Sequence, residues 1–426
     1  MCKKITWLLV AMSLGLGVAL SVQARVPRTN LFDDYGIDCK IPRRPGTRFN
    51  ITAGVEHAVK ARSYQADEDD AGYSSSFRKR GDVLQLYQDE QDFIAALKGE
   101  EYTTAYGQLS QKFSWQDDDG TYGWYIPDGK LSVQNAYVAG WFYFPRNLSL
   151  AITLPIISMR LHDVTWRKSP RNNNQSFESI LAEDLVADVE KFAQINLHDW
   201  AIRGIGDLST IVWWEDYFPQ AYSRIRCVGL NARIGCTFPT GKKAQEDDLL
   251  TPVLGQDGGV GIVGGFGLDI FTHSWWRFGG DVELLYLLSD TRSRRIKTDP
   301  AQTDLLFLQK DWVMKDPGFT QRFKLYLQTQ NVWRGLSARL EYLYCRQQED
   351  KYYLSNYHFD PKICNSAESL QDWTTHSVLA ELNYDFYSWR GPAAYVPYVS
   401  LRYKHGFNGQ RAILFDTVSL VFGADF

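Results

Sequence analysis

The last eleven residues of the chain alternate between apolar and polar or small side chains. Every second residue from Val418 to Phe426 is apolar, whereas those between them, from Thr417 to Asp425, are polar or small except for Val421. Successive side chains of a β-strand point to opposite faces. The pattern therefore predicts a terminal strand with one apolar face, which meets either a protein core or a lipid bilayer.

The same alternation recurs in twelve segments along the chain. Most of them reach the roughly 9–11 residues that a tilted strand needs to cross a bilayer. The segments are Thr47–Val59, Leu131–Phe144, Leu148–Trp166, Asp207–Phe218, Arg226–Phe238, Val260–Phe271, Trp275–Ile296, Phe319–Val332, Ser337–Tyr353, Thr374–Ser388, Ala394–Phe407 and Ala412–Phe426. They predict an all-β fold, a single transmembrane antiparallel β-barrel over residues 47–426 with about 12 strands, within roughly 10–14.

The connections between these segments alternate in length. Short turns are predicted at Pro145–Asn147, Pro219–Ile225, Thr272–Ser274, Trp333–Leu336 and Trp389–Pro392. Long polar connections are predicted at Lys60–Lys130, Arg167–Gly206, Pro239–Gly259, Lys297–Gly318 and Leu354–Trp373. Short periplasmic turns and long extracellular loops are typical of outer-membrane barrels. We therefore expect short turns on the periplasmic side and long extracellular loops that carry short helices.

Charged and amide residues share the strand faces that lie opposite the apolar ones. Burying so many charges in a soluble core would cost several kcal/mol per unpaired ion, whereas a wet lumen lets them pair and hydrate. The alternative is the solvated outside of a soluble sheet. The predicted lumen-lining residues are Asp207, Glu215, Asn231, Arg233, Asp281, Glu283, Arg322, Lys324, Arg339, Glu341, Glu381, Asp385, Arg402 and Lys404. Because their charges nearly balance, strong ion selectivity is not expected.

The N-terminus has the pattern of a secretory signal peptide. Lys3 and Lys4 precede the apolar run Ile5–Leu20, and a small residue, Ala24, follows. This arrangement predicts a cleaved signal over residues 1–24, followed by a periplasmic segment over residues 25–46. Together with the barrel pattern, it predicts localisation to the outer membrane of a Gram-negative-type bacterium, in contact with outer-membrane lipid.

Net charge, hydropathy and cysteine spacing argue against several other classes of protein. The net charge is −4, so a nucleic-acid partner is not expected. After residue 24 no apolar run approaches the ~18 residues of a membrane-spanning helix. No Cys/His cluster has the spacing of a zinc site, and neither a metal nor another cofactor is predicted. Cys345 and Cys364 flank one predicted loop and are a possible disulfide in an oxidising compartment; buried thiols are the alternative.

Two of the long loops contain helical patterns. Apolar residues in Ser176–Trp200 recur near helical spacing, with Ser176 as a candidate N-cap. This segment is either a lid on the barrel mouth or a structured loop without a gating role. In Asp89–Lys98 the residues Phe93, Ile94 and Leu97 form an apolar stripe. The first loop, which contains this stripe, either enters the lumen as a plug or decorates the outer surface.

Two short motifs resemble a known family. Gly204-Ile205-Gly206-Asp207-Leu208 precedes Thr237-Phe238-Pro239-Thr240-Gly241-Lys242, and a glycine-rich strand follows over Val260–Ile270. Over residues 200–272 the chain resembles outer-membrane transporters associated with the phenol meta-degradation pathway, although Ile205 and Phe238 depart from the commonest residues there. The resemblance implies an outer-membrane barrel that moves small, including apolar or aromatic, molecules.

The terminal strand resembles a second known signal. In bacterial outer-membrane proteins, an alternating last strand that ends in Phe is recognised by the barrel-assembly machinery. Leu420, Phe422 and Phe426 match that pattern. The resemblance implies that the barrel-assembly machinery is a partner of this chain.

An enzymatic role must also be considered, because twelve-stranded outer-membrane phospholipases carry their nucleophile in a His-x-Ser-Asn-Gly segment. Here His405-Gly406-Phe407-Asn408-Gly409 has Phe407 at the nucleophile position. Without a hydroxyl or thiol there, His405 has nothing to activate. We instead predict a short hairpin turn on Asn408-Gly409, and no catalytic residues.

The sequence therefore predicts an outer-membrane channel or transporter for small solutes. The main alternative is a barrel without a transport role, serving as a surface receptor, adhesin or scaffold. A barrel-embedded lipid hydrolase is the weaker alternative. The identity of the solute and the oligomeric state do not follow from the sequence.

Overall fold

A computed structural model describes most of the predicted barrel. The described residues are 47–66, 80–93, 95–97, 123–170, 182–221, 224–272, 275–356, 358–386 and 395–426. The predicted signal peptide and the periplasmic segment 25–46 lie outside these ranges.

Strands dominate the secondary structure. They are β1 Phe49–Tyr64, β2 Arg80–Gly81, β3 Gln91–Asp92, β4 Trp124–Phe144, β5 Leu148–Lys168, β6 Trp200–Ile205, β7 Leu208–Pro219, β8 Ile225–Phe238, β9 Gly261–Thr272, β10 Trp276–Leu287, β11 Asp290–Ile296, β12 Gln309–Asp316, β13 Thr320–Trp333, β14 Leu336–Gln347, β15 Lys351–Leu354, β16 Trp373–Asp385, β17 Val396–Gln410 and β18 Ala412–Asp425. The α-helices are α1 Ala182–Ala193 and α2 Pro361–Cys364, and single 3-10 turns lie at Val83–Gln85, Ala95–Leu97 and Glu368–Leu370. In the part of the chain that the structure describes, no helix has the length and apolar character needed to cross a membrane.

Twelve of the strands form a closed antiparallel barrel. They are β1, β4, β5, β7, β8, β9, β10, β13, β14, β16, β17 and β18. The barrel closes because β1 pairs with β18 on one side and with β4 on the other. The predicted fold class and strand number are confirmed.

The two faces of the barrel wall differ as the alternation predicts. Each barrel strand carries at least one exposed large apolar side chain on the outer wall, such as Val138, Leu325 and Phe422. The alternate side chains point inward and are mostly buried, for example Asn135 and Ser419. The apolar face of the terminal strand therefore lies on the outside of the barrel.

Connections at the two ends of the barrel differ in length. At one end, tight turns with positive φ angles join β4 to β5 at Arg146 and Asn147, and β13 to β14 at Arg334 and Gly335. We call this the short-turn end. It also holds both ends of the described barrel, since the Phe426 carbonyl accepts hydrogen bonds from the Arg48 and Phe49 N–H groups. The opposite end, with the long connections, is the long-loop end.

Two of the predicted strands are longer than the barrel wall. Trp275–Ile296 divides into β10, in the barrel, and β11, which leaves it. Ser337–Tyr353 likewise divides into β14 and β15. β11, β12 and β15 form a separate three-stranded sheet above the long-loop end. The arginines of β11 account for the division, because their carboxylate partners lie in the loop between β8 and β9.

The turn predicted at Asn408-Gly409 is wrong. β17 continues through both residues to Gln410, and the reversal occurs at Arg411, which has a φ of 48°. Asn408 and Gly409 pair with His376 and Thr375 of β16, past a bulge at Phe407. Pairing with β16 therefore overrides the local turn preference of the dipeptide. The β17–β18 connection is short although it lies at the long-loop end.

Candidate functional site

An ion cluster crosses the inner wall from β8 to β13. The Arg233 guanidinium on β8 donates to Glu283 at 3.0 Å and to Asp281 at 2.6 Å, both on β10. Arg322 on β13 also pairs with Glu283. Strand β9 lies between these partners and carries Gly265, where a Cβ atom would lie 2.8 Å from the Arg233 guanidinium carbon. The missing side chain gives Arg233 the space to reach across β9.

A second buried pair lies nearer the short-turn end. Arg277 on β10 donates to Asp269 on β9 at 3.0 and 2.6 Å, and each side chain is at most 2% exposed. The Tyr326 hydroxyl donates to the same carboxylate. Asp269 and Arg277 are not among the predicted lumen-lining residues. Both occupy inward positions of the alternation, so that pattern could have identified them.

The network continues on β14, β16 and β17. Arg339 pairs with Glu341 on its own strand and lies 4.0 Å from the ring centroid of Tyr326. Arg402 on β17 donates to Glu381 on β16 at 3.1 Å. A cation over an aromatic face is attracted to the ring as well as to the carboxylate. The charged side chains thus link neighbouring strands around the inner wall.

The structure places all the predicted lumen-lining residues except one on inward-facing strand positions. Asn231 and Lys324 are buried there, and Glu215 accepts a hydrogen bond from the Tyr217 hydroxyl at 2.7 Å. Asp385 and Lys404 are half-buried at inward positions of β16 and β17. Asp207 is the exception, because it precedes β7 and contacts loop backbone instead.

The charged side chains of the inner wall are less exposed than the predicted wet lumen implies. The side chains of Arg233, Arg277, Arg339 and Arg402 are 2–5% exposed. Charges removed from water in this way are stable only when partners compensate for the lost hydration. The inner wall therefore carries paired charges of both signs in place of individually hydrated ones.

The two family-like motifs meet at the long-loop end of the wall. The Thr240 hydroxyl donates to the Gly206 carbonyl at 2.7 Å and accepts from the Leu208 N–H at 2.9 Å. The Asp207 carboxylate accepts from the Gly241 N–H at 2.9 Å and from the Gln256 N–H. We call the contacts among Gly206, Asp207, Leu208, Thr240 and Gly241 the rim junction. It fixes the loop between β8 and β9 to the start of β7.

An apolar cluster fills the barrel interior at the long-loop end. Inward side chains of β4 and β5, including Leu131, Ile157 and Met159, form its wall. The segments that pack on this wall supply Val83, Leu84, Leu86, Phe93, Ala96, Leu97, Val186, Val189, Ala193, Leu249, Leu250, Leu254, Leu305, Leu306 and Leu308. We call this cluster the apolar cap. Its loop segments follow strand ends at the long-loop end, whereas Arg233 of the ion cluster lies within β8.

The two predicted helical segments both contribute to the apolar cap. In the described part of Asp89–Lys98, Ala95–Leu97 forms a 3-10 turn, and Phe93 and Leu97 are buried. The described part of the first loop therefore packs inside the barrel, which is the first of its two predicted alternatives, and not on the outer surface. In Ser176–Trp200 the helix is α1, whereas the candidate N-cap Ser176 lies outside the described residues.

Two buried carboxylates in the long connections have pKa values that are shifted in opposite directions. Burial by itself raises the pKa of Asp257, but Lys315, Arg294 and Arg292 outweigh that effect and hold the pKa well below its usual range. Burial raises the pKa of Asp304 to about 6, against the opposing attraction of Lys297. Asp257 is thus ionised at neutral pH, whereas Asp304 titrates in a mildly acidic range.

Cys345 and Cys364 form no disulfide in the structure. Cys345 points inward from β14, whereas Cys364 ends helix α2 and packs in a separate apolar cluster with Ile296, Phe307 and Val313. The two thiols are buried in different environments. The arrangement thus corresponds to the alternative of buried thiols.

The structure also shows how the phospholipase-like segment is arranged. The His405 Nδ1 atom lies 2.8 Å from the Asp416 carboxylate, and Arg62 binds the same carboxylate. Phe407 packs near the His376 ring, with 6.1 Å between centroids. No group of His, Cys, Asp and Glu in the described ranges is arranged to hold a metal ion.

These features define a closed twelve-stranded β-barrel with an ion-paired inner wall and an apolar cap. No protein-family model matches the chain, and no curated protein matches its sequence. Among solved structures, the COG4313 outer membrane channel from Pseudomonas putida F1 is similar at 9% identity and a TM-score of 0.48, over 90% of this chain and 97% of that one.

Two further solved barrels are similar at lower scores. The NanC porin has 8% identity and a TM-score of 0.31, over 71% of this chain and 98% of that chain. The CymD monoaromatic hydrocarbon channel has 9% identity and a TM-score of 0.30, over 89% of each chain. Because every one of these TM-scores is below 0.5, they assign no function to this chain.

Proposed function

We propose that this chain is an outer-membrane channel that passes small solutes across the outer membrane of a Gram-negative-type bacterium. The observation that carries the proposal is the difference between the two faces of the closed wall. Its outer face exposes large apolar side chains on all twelve barrel strands, and its inner face carries charges of both signs. A barrel of this kind can contact lipid outside while offering polar groups to a solute inside.

The inner wall and the apolar cap act in sequence on a solute under this proposal. A solute that enters from the long-loop end meets the cap first, so the cap must move or be crossed along its apolar surface. It then meets the paired charges of the inner wall. Because positive and negative charges are both present there, the net electric field on the solute is set by small local excesses of one sign. Small apolar or aromatic solutes, which the family resemblance implies, suit the first of these steps.

A specific observation favours a second candidate function, a surface receptor or scaffold. Trp312, Met314 and Tyr353 lie on one face of the three-stranded sheet and are 41–60% exposed. Large exposed apolar side chains above a barrel rim are the kind of surface that binds another macromolecule. An enzymatic role has no comparable support, because Phe407 offers His405 no hydroxyl or thiol.

Assembly by the barrel-assembly machinery is part of the proposal. Phe426 lies at the closing seam, where its ring packs near Phe49 and Tyr395 with centroids 6.1 and 6.2 Å apart. Its side chain is exposed on the outer wall, together with Phe422 and Leu420. An outward aromatic row at this seam supports recognition of the last strand before closure.

Planar-bilayer conductance tests the channel proposal. The protein spanning residues 25–426 is refolded, its folding is checked by heat-modifiable gel mobility, and single-channel currents are recorded with and without residues 80–97. We expect small current steps from the intact protein and larger ones after the deletion, because the deletion removes Leu84, Phe93 and Leu97 from the apolar cap. A folded barrel that is silent in both forms contradicts the channel and favours the receptor.

A further inference from the structure

The outer wall changes from apolar to polar between adjacent rows of β4, β5 and β6. Residues in one row are register partners and point outward. The last apolar row is Ala136, Ile156 and Ile205. The next row towards the long-loop end is Gln134, Ser158 and Arg203, followed by Ser132, Arg160 and Ala201. If the apolar rows lie in the bilayer, as the proposed function requires, this change marks the level of the lipid headgroups.

Two arginines lie side by side at this level. Arg160 pairs in register with Ala201, and Ser158 pairs with Arg203, so the two arginines are diagonal neighbours on one face. Diagonal neighbours of this type lie roughly 7–8 Å apart. Both side chains are exposed on the outer wall. Two like charges at this distance repel each other unless an anion lies between them.

Neither arginine has an anionic partner in the described part of the chain. Other cations nearby on β4 and β5 are paired: Lys130 lies 2.8 Å from Asp163, and Arg167 lies 2.5 Å from Asp128. The guanidinium groups of Arg160 and Arg203 therefore differ from the neighbouring cations, which form ion pairs. They lie closer to the apolar belt than the paired cations do.

We propose that Arg160 and Arg203 bind a phosphate group of a phosphorylated lipid in the outer leaflet. Guanidinium groups bind phosphate oxygens through paired hydrogen bonds, and the Ser158 hydroxyl between them can donate another. The acyl chains of the same lipid lie against Ile156 and Ile205, which are 39% and 46% exposed. The site thus joins a phosphate-binding pair to an apolar surface, the two parts of an anionic lipid.

Binding of lipid A, a diphosphorylated glycolipid, to the refolded protein (residues 25–426) in detergent tests this proposal. The bound lipid is counted by native mass spectrometry for the wild type, the Arg160→Gln/Arg203→Gln double variant and a Lys130→Gln/Arg167→Gln control on neighbouring positions. Loss of two charged hydrogen-bonding groups is expected to weaken binding by about tenfold or more. We expect the control to stay within about twofold of the wild type.

Two further arms identify the source of the phosphate and the nature of the contact. Lipid A stripped of its phosphates is expected to bind wild type and double variant equally weakly, and millimolar inorganic phosphate is expected not to displace the intact lipid. Equal binding of intact lipid A by the double variant would overturn the proposal, and displacement by inorganic phosphate would show a site for free anions. Heat-modifiable mobility shows that each variant is folded. This assay measures lipid binding and no current. Its result therefore does not depend on whether the protein conducts, and a failure of the proposed transport can be distinguished from a failure of the lipid site.

Discussion

Arg295 on β11 donates hydrogen bonds to the carbonyl oxygens of Ala193 and Gln194, both at 3.0 Å, at the C-terminal end of helix α1. The same guanidinium donates to the carbonyls of Phe307 and Leu308 at 3.1 and 2.9 Å. A cation at a helix C-terminus is stabilised by the helix dipole. One side chain, 1% exposed, therefore holds two separate segments of the apolar cap together.

Replacing Arg295 with alanine should open the apolar cap. The change removes the donor of five carbonyl groups, three of which are buried, those of Ala193, Phe307 and Leu308. Each buried acceptor left unsatisfied costs about 1–3 kcal/mol. We expect larger single-channel currents and faster hydrogen–deuterium exchange over residues 186–197 and 305–308. The control is Arg226→Ala, which removes an exposed arginine from β8. Unchanged current and exchange in Arg295→Ala would show that the cap does not depend on this side chain.

The charge of Arg233 should influence ion selectivity. Arg233→Gln removes the cation that lies between Asp281 and Glu283, so the inner wall becomes more negative at that level. We expect the reversal potential in a salt gradient to shift towards cation preference. Arg226→Gln removes the same charge from another position on the same strand, and should leave the reversal potential unchanged. A shift towards anions, or an equal shift in both variants, would contradict the proposal that Arg233 lines a conducting path.

Two adjacent glycines on β9 allow a matched stability test. A Cβ atom at Gly265 would lie 2.8 Å from Arg233 and from the Val282 carbonyl, whereas one at Gly264 would meet nothing within 4 Å. Overpacking of this kind costs about 1–3 kcal/mol. We expect Gly265→Ala to lower the urea midpoint, measured by heat-modifiable mobility, and Gly264→Ala to leave it nearly unchanged. Equal urea midpoints for the two variants would mean that the ion cluster accommodates the added methyl group without loss of stability.

The barrel wall could be predicted from sequence because its signal is local. In β5 the apolar residues from Leu148 to Ile156 alternate with small and polar ones, and β18 has the same pattern. Each strand therefore specifies its outer face without reference to distant residues. The same period also placed Arg233 and Glu283 on the inner face. Their partnership across β9 depends on Gly265, which only the assembled sheet reveals.

The apolar cap and the separate sheet could not be predicted in the same way. The cap joins Leu84, Val189 and Leu306, which are far apart in sequence. The helical spacing around Val189 predicts a helix there but not the surface on which that helix packs. The alternation of Trp275–Ile296 continues from β10 into β11, so it gives no sign that the chain leaves the barrel. The apolar cap and the separate sheet both depend on contacts between residues that are distant in sequence.

The rim junction should depend on the hydroxyl of Thr240. Thr240→Val keeps the shape of the side chain but removes its bonds to the Gly206 carbonyl and the Leu208 N–H, at a cost of about 1–3 kcal/mol. We expect faster hydrogen–deuterium exchange over residues 239–259 in this variant. Thr240→Ser retains the hydroxyl and should exchange like the wild type. If both variants match the wild type, the hydrogen bonds of the Asp207 carboxylate to the Gly241 and Gln256 N–H groups hold the loop without the Thr240 hydroxyl.

Asp304 should make the loop at residues 297–308 dependent on pH. Its pKa is raised from 3.8 to about 6, mainly by burial, so the folded state binds the proton more tightly than the unfolded state does. The resulting stabilisation is fully present below about pH 3.8 and is lost as the pH rises through about 6. One pKa unit corresponds to about 1.4 kcal/mol, so the loss amounts to about 3 kcal/mol. Asp257, with its lowered pKa, acts in the opposite direction and only below about pH 3.8.

Hydrogen–deuterium exchange at pH 4.5 and pH 7, corrected for the intrinsic pH dependence of amide exchange, measures this effect. We expect residues 297–308 of the wild type to be better protected at pH 4.5, and Asp304→Asn to show similar protection at both values because it cannot ionise. Asp299→Asn, in the same loop, should behave like the wild type. Protection that increases towards pH 7 in the wild type would mean that the ion pair with Lys297, at 3.4 Å, outweighs the burial of the carboxylate.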